Sequence, residues 1–348
     1  MPLRPRHALF LLVVAAIALD VLHSPPVLVF FVAAAAIVPL AGLMGTATEE
    51  LAARTGATIG GLMNATLGNA AELIIGIFAL KAGLIDLVKA SITGSIIGNL
   101  LLVLGLSLLV GGLKYQNLRF NARAAGMNAA LLALAVVGLG VPALFDLSHP
   151  SADPEVIHKL SYIVAGMMLL VYVLSLVFTL RTHRELFRSE GHDEPPKWSA
   201  RRSVITLVAA TVFVAWLAEI LVGVTEDTTT RLGVSEFFLG VIIIPVVGNA
   251  AEHGAAVLVA AKNKIDLSFA IAVGSSAQIA LFIAPVLVFL SVALGHPMSL
   301  SFNGFEVAAV ALATGVVTVI SLDGESHWLE GVQLLAVYGI LAAAFFFF

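Results

Sequence analysis

Eleven apolar runs, separated by short polar or glycine- and proline-marked breaks, account for most of this chain. They fall at about 8–22, 27–53, 58–80, 84–111, 122–142, 157–181, 203–224, 235–260, 267–293, 303–321 and 328–347. Each run is long enough to be a helix, and most approach the 17–25 residues that carry a helix across a hydrocarbon core of roughly 30 Å. None shows the period-two alternation over about ten residues that marks a membrane β-barrel strand. The pattern predicts an all-α integral membrane protein of about eleven transmembrane helices. The most polar connection is Thr182 to Arg202, "THRELFRSEGHDEPPKWSARR", whose Pro-Pro pair and mixed charges read as a solvated linker between two halves.

Composition strengthens this reading. Of 348 residues, 60% are hydrophobic and 11% charged, and the mean hydropathy is +1.04; ordinary soluble domains carry about 25% charged residues. The lipid bilayer is therefore the expected surroundings. A net charge of -4 gives no reason to expect nucleic acid, and the absence of cysteine excludes disulfides and thiolate metal sites. The first run follows Arg4 and Arg6 and contains Ala16-Ile17-Ala18, so it reads either as a retained leading helix or as a signal peptide. Assigning loops alternately to the two sides leaves Lys81, Lys89, Lys159 and Arg231 on one side and the other fourteen of the 18 Lys and Arg residues opposite. Positive charge accumulates in cytoplasmic loops, so the expected orientation is N-terminus cytoplasmic and C-terminus outside, in the plasma (inner) membrane of a prokaryote.

The runs repeat. Laying Gly60–Leu104 on Gly240–Ala284 without a gap gives 13 identities in 45 positions, including Gly68-Asn69-Ala70-Ala71-Glu72 against Gly248-Asn249-Ala250-Ala251-Glu252. Ile85-Asp86-Leu87 matches Ile265-Asp266-Leu267, and Gly94-Ser95 matches Gly274-Ser275. The repeated unit holds five runs, an odd number, so the second copy enters the membrane from the opposite side. The expected organisation is a leading helix (1–26), a first five-helix repeat (27–181), a cytoplasmic linker (182–202) and a second, inverted repeat (203–348). Inverted repeats are a common build of secondary transporters, whose sites lie near the midplane at the repeat interface.

The repeated block also carries the candidate chemistry. A carboxylate near a helix centre costs about 2.5–3.5 kcal/mol on insertion scales, so it is expected to face a partner or a cavity. Glu72 and Glu252 sit in equivalent spans, and a twofold axis in the membrane plane would bring them together. Two carboxylates in one dry site repel unless a cation or proton lies between them, so the pair suits a divalent cation or protons. Asn69 and Asn249 precede each glutamate by three residues, a spacing that puts amide and carboxylate on one helix face. Gly68, Gly248 and Pro245 suit a break that exposes carbonyl oxygens, and such oxygen donors suit a hard cation such as Ca²⁺. Close helix packing by the same small residues is the plainer alternative.

A second polar element places Ser95 with Asn99 in one half and Ser275 with Gln278 in the other; Asn99 has no amide counterpart, Ile279 standing there. His253 follows Glu252 where the first half has Leu73, and a histidine beside a carboxylate can relay protons or simply pack. Asp86, Asp266, Glu49, Glu50, Glu226 and Asp227 fall near helix ends, whereas Glu219 and Glu306 lie deeper without an evident partner. No P-loop, nucleophile elbow or HExxH motif occurs in a plausible context, so the chain is not expected to be an enzyme.

Thr55 to Gly105 and Gly240 to Pro285, which contain the two GNAAE blocks, closely resemble the signature repeats of the Ca²⁺/H⁺ exchanger (CAX) branch of the cation/Ca²⁺ exchanger superfamily. "FTLRTH" (Phe178 to His183) and "GESHWLEG" (Gly324 to Gly331) extend the likeness over nearly the whole chain. The resemblance implies one leading helix plus two inverted five-helix repeats. It implies cation and proton binding at Glu72 and Glu252, with Asn69, Asn249, Ser95, Ser275, Asn99 and Gln278 lining the site or its gates. His253 would mark proton coupling; the GTSxPE-type repeats of Na⁺-coupled relatives are absent. Linker 182–202 lacks the acidic helix of some relatives. The implied activity is export of cytosolic Ca²⁺ in exchange for H⁺, with both as cargo, no cofactor, and a homo-oligomer left open. A Na⁺/Ca²⁺ exchanger and a divalent-cation channel are the alternatives.

Overall fold

The computed structural model describes residues 5–55, 57–183 and 196–348. Most of the predicted linker, 184–195, and Met1 to Arg4 lie outside the described residues. Helices occupy every predicted run. In chain order they are α1 (Pro5–Val21), α2 (Pro26–Thr55), α3 (Ala57–Leu67), α4 (Ala70–Lys81), α5 (Ile85–Lys114), α6 (Ala122–Ser148) and α7 (Pro154–Thr182). There follow α8 (Ala200–Gly223), α9 (Thr225–Leu232), α10 (Glu236–Gly248), α11 (Ala250–Ala260), α12 (Ile265–Ala293), α13 (Gly304–Ile320) and α14 (Trp328–Phe346). The one ribbon among the described residues pairs β1 (Leu118–Arg119) with β2 (Glu325–Ser326), antiparallel, with Leu118 opposite Ser326.

Among the described residues, seven helices are long and apolar enough to cross a membrane, or eight if α9 and α10, bent by 113°, form one span. The shortfall from eleven has local causes. The expected spans 58–80 and 235–260 are both interrupted, α3 stopping at Leu67 and α10 at Gly248, with helix resuming at Ala70 and Ala250. Asn69 and Asn249 adopt non-helical dihedrals at the break (φ -96°, ψ 27° and φ -95°, ψ 4°). Gly and Asn are the residues that most readily leave the helical region, so the motif itself ends the helix. Pro245, by contrast, sits within the first turn after a π-helical stretch and breaks nothing. α1 and α13 have 17 residues each.

The two halves share further local geometry. The turn from α4 to α5 is made at Gly83 (φ 79°) and that from α11 to α12 at Asn263 (φ 60°), 180 positions on. Glycine and asparagine are the two residue types that enter this left-handed region at least cost. Within α5 the turn Gly98–Val103 widens to π-helix, and within α12 the turn Ile279–Ile283 does so at the corresponding place. Such single π-turns recur at functional sites because they free backbone groups and re-aim side chains.

Helices α5 and α12 are the most buried of the long helices, and α7 is the most exposed. Ile96, Ile97, Leu100, Leu101 and Leu104 of α5 are fully buried, whereas Ile163, Met167, Leu170 and Leu174 of α7 present aliphatic surface outward, as lipid contact requires. Packing around α5 depends on missing side chains. A Cβ on Gly112 would lie 2.3 Å from the Trp328 amide nitrogen, and one on Gly331 would lie 2.4 Å from that of Leu109. These glycines let α5 and α14 cross backbone to backbone, where dispersion and close contact replace the absent hydrophobic drive between helices in lipid.

Candidate functional site

The interruptions at Asn69 and Asn249 put the GNAAE blocks in the middle of the bundle, against α5 and α12. Glu72 and Glu252 each fall in the first turn of the resumed helix, α4 and α11. The amino end of a helix carries partial positive charge, which favours a carboxylate there. The two acids approach one another across the blocks. They also interlock: a Cβ on Gly248 would lie 3.7 Å from Glu72 Cγ, and one on Gly68 would lie 3.4 Å from Glu252 Oε1. Each glutamate thus rests on the glycine of the opposite block.

The asparagines depart from the sequence expectation. Because α4 begins at Ala70, Asn69 precedes the helix and does not share a continuous helical face with Glu72. Neither asparagine side chain caps the helix that follows it. Both reach instead into the other half. Asn69 Oδ1 accepts from Ser275 Oγ at 2.7 Å, and its Nδ2 donates to Gln278 Oε1 at 2.8 Å. Asn249 Nδ2 donates to Ser95 Oγ at 3.2 Å and to the Pro245 carbonyl at 3.0 Å. A carbonyl can only accept, so this second bond fixes the amide's orientation and leaves Oδ1 on the other side. His253 Nε2 and Asn99 Oδ1 meet at 3.1 Å, within the π-turn of α5.

All nine residues singled out by the sequence therefore belong to one region. Asn69, Asn249 and Asn99 are each about 1% exposed, Ser95 and Ser275 are buried, and Glu72, Glu252, His253 and Gln278 are half-buried. Three buried acceptor oxygens in it, Glu72 Oε2, Glu252 Oε2 and Asn249 Oδ1, have no hydrogen-bond partner, and neither has the donor Asn99 Nδ2. Buried polar atoms are nearly always paired, so three unpartnered oxygens together call for an explanation. A hard cation or protons would supply what they lack. Among the described residues no group of three His, Asp or Glu forms a chelating cluster; the cluster offers two carboxylates with amide and hydroxyl oxygens.

Access to the two acids is unequal. Glu252 lines a cavity of about 680 Å³ that also touches Gln278, Ser275 and Gly68 and extends to the exposed Thr46, Glu49, Asn64 and Leu258. Glu72 faces a pocket of about 10 Å³, room for roughly one water molecule, walled by Ser91, Ile92, Ser95, Ile244, Pro245 and Leu287. Asn64 escapes sequence reasoning because it is one amide on an apolar helix, with Ile244 at the repeat-related position.

The deeper acids separate into two cases. Glu306 is 2% exposed and caps α13 from its first turn, accepting from the Asn303 amide at 2.9 Å and from Thr93 Oγ1 at 3.0 Å. Glu219 is exposed and lies 4.0 Å from Lys81. Asp86 and Asp266 are exposed in the first turns of their helices, as expected of solvated ends.

An apolar helical bundle in which two interrupted helices each carry one acid into the interior has the build of a membrane ion exchanger. This chain belongs to the sodium/calcium exchanger protein family, whose model matches residues 25–181 and 202–347. It is 47% identical over 337 residues to the Ca²⁺/H⁺ antiporter of Synechocystis sp., covering 92% of this chain and 91% of that one. It is 45% identical to the Ca²⁺/H⁺ antiporter ChaA of Bacillus subtilis, covering 97% and 98%. The solved structure of native YfkE superposes with a TM-score of 0.85 at 42% identity, covering 98% of this chain and all of that one. The family resemblance drawn from the GNAAE blocks is thereby borne out.

Proposed function

We propose that this protein is a Ca²⁺/H⁺ antiporter that moves cytosolic Ca²⁺ out of the cell, with Glu72 and Glu252 as the shared cation and proton site. The observation that carries the reading is a pair of carboxylates, each seated on the glycine of the opposite block and each with a buried, unpartnered oxygen, in one region with the unpartnered Oδ1 of Asn249. The names of the relatives point the same way. Ca²⁺ takes six to eight oxygen ligands in flexible geometry. The two carboxylates would neutralise its charge, and amide, hydroxyl and water oxygens would complete the shell. Protonation of the same carboxylates removes both their charge and their lone pairs, so Ca²⁺ and H⁺ exclude one another. Mutual exclusion at one site is the minimum requirement for coupled exchange.

The eleven helical runs are read as eleven passes, with α3–α4 and α10–α11 each crossing as an interrupted pair. Residues 27–181 and 203–348 would form two inverted repeats after a leading helix, with 182–202 cytoplasmic, N-terminus inside and C-terminus outside. On that orientation the large cavity faces the cytosol, where a transporter of this kind collects Ca²⁺. Asn69, Asn249, Ser95, Ser275, Asn99 and Gln278 would position or ligate the ion, and His253, held by Asn99, would serve proton transfer.

The reading is tested by reconstituting the protein and comparing driving forces. An outward H⁺ gradient should drive ⁴⁵Ca²⁺ into proteoliposomes, and an outward Na⁺ gradient at matched pH should not. Uptake driven by Na⁺ would establish the Na⁺/Ca²⁺ alternative, and Ca²⁺ flux with no dependence on either gradient would establish a channel.

A further inference from the structure

The repeats are equivalent in sequence around the site but not in packing. Gly94 of α5 lies against α10 so closely that a Cβ there would sit 2.0 Å from the Val241 carbonyl oxygen and 2.6 Å from Pro245 Cγ. Gly240 of α10 returns the contact: its Cβ would lie 2.6 Å from Ala90 Cβ. Two missing side chains thus bring these helices to backbone contact. Pro245 is at once part of this crossing and part of the wall around the small Glu72 pocket. The residue equivalent to Gly94 in the other half is Gly274, and around its Cβ position no atom lies within 4 Å. There α12 and α3 stand on two sides of the large cavity, Leu267, Ala270, Ile271 and Ser275 facing it from one and Asn64 and Leu67 from the other, with α2 and α11 completing its wall.

A second asymmetry concerns what holds α5. Thr93, fully buried, donates to Glu306, and Lys89 Nζ donates to the Ser301 carbonyl at 2.7 Å, while Ser301 Oγ bonds Asp146 Oδ2 at 2.5 Å. These contacts tie one end of α5 to the start of α13 and the end of α6. In α12 the residue equivalent to Thr93 is Val273, and that helix is held instead through Asp266, whose carboxylate accepts from the Asn121 amide at 2.6 Å.

We propose that the crossing of α5 over α10, built on Gly94 and Gly240, is the gate that shuts the site from the side opposite the large cavity. Its counterpart is the crossing of α12 over α3, which closes on Gly274 when the first gate opens. This deepens the exchanger reading and rests on it. Glycine is needed at 274 for a contact that this state does not make.

The chain has no cysteine, so paired cysteines test the gate without background. Disulfides need Cβ atoms about 3.5–4.5 Å apart, a separation that Ala90→Cys with Gly240→Cys reaches by a small parting of the helices. In proteoliposomes, oxidation of this pair should lower H⁺-driven ⁴⁵Ca²⁺ uptake at least tenfold, and dithiothreitol should restore it. The oxidised protein should still bind ⁴⁵Ca²⁺ in detergent within threefold of the reduced protein. Failure of the pair to cross-link, or uptake above half after cross-linking, overturns the proposal. Gly274→Val is the second arm: it should melt at the wild-type temperature and bind Ca²⁺ normally, yet transport at least tenfold more slowly. Wild-type transport by this variant overturns the proposal as well. A wild-type protein with no H⁺-driven uptake would instead refute the exchanger reading, so the two failures are distinguishable.

Discussion

Asn69 and Asn249 are equivalent in sequence, equally buried and both bonded across the halves, yet their truncation should have different consequences. Asn69 spends both ends of its amide on protein, taking a bond from Ser275 and giving one to Gln278. Asn249 spends its nitrogen on Ser95 and Pro245 and keeps Oδ1 unpartnered among the orphaned oxygens. Asn69→Ala removes two hydrogen bonds. A typical net bond is worth about 0.5–1.5 kcal/mol and a stranded buried partner costs about 1–3. Ser275 has the Glu252 carboxylate within reach and Gln278 faces the large cavity, so both can find new partners and the total should stay near 1–2 kcal/mol. Asn249→Ala also loses a bond to a charged partner if Oδ1 ligates Ca²⁺, a class worth about 1.5–3 kcal/mol, or about 10- to 150-fold in affinity at 1.4 kcal/mol per decade. The assay is the apparent KM for Ca²⁺ in H⁺-driven uptake, paired with thermal melting in detergent. Asn249→Ala should raise KM at least tenfold; Asn69→Ala should raise it less than about fivefold. Asn249→Asp, which keeps an oxygen there, should be milder than Asn249→Ala. Equal KM effects of the two alanine variants, or a larger one for Asn69, would refute the assignment of Asn249 Oδ1 as a ligand.

Two further outcomes follow from the packing. Gly112→Ala should not accumulate as folded protein, because its Cβ would meet main-chain atoms of Trp328 that cannot yield; size-exclusion of the solubilised protein reports this, and a monodisperse variant with native melting would contradict it. His253→Leu, which copies Leu73, removes the contact with Asn99 while leaving both glutamates in place, so the pH dependence of exchange should change, with Ca²⁺ binding at pH 8 within about threefold of wild type. An unchanged pH profile over pH 5.5–8.5 would assign His253 to packing.

Much of this architecture is legible in the sequence because lipid leaves a chain few options. Apolar runs of the right length must be helices, and a repeated GNAAE block marks equivalent places in both halves. Gly-Asn foreshadows the helix interruptions but not their position: the chain breaks at the asparagine itself, so Asn69 precedes the helix that carries Glu72. Among the described residues seven or eight helices reach spanning length rather than eleven, because of these interruptions and because α1 and α13 have only 17 residues each. Glu306 and Thr93 are 213 positions apart and meet only because α5 packs on α13, a contact no periodicity encodes. The unequal crossings at Gly94 and Gly274 are equally invisible, since the two glycines occupy matching positions in the repeat. Sequence symmetry identifies the halves; only packing shows that one is closed and the other open.

The central claim is that one pair of acids serves both ions. It is tested most directly by ⁴⁵Ca²⁺ uptake into proteoliposomes with an acidic interior, comparing wild type with Glu72→Gln and Glu252→Gln at equal reconstituted protein. Each substitution keeps size and hydrogen-bonding reach but removes the charge, so each alone should abolish uptake, down to the level of protein-free vesicles. Proton-driven uptake by either variant at a rate close to wild type would contradict the shared site.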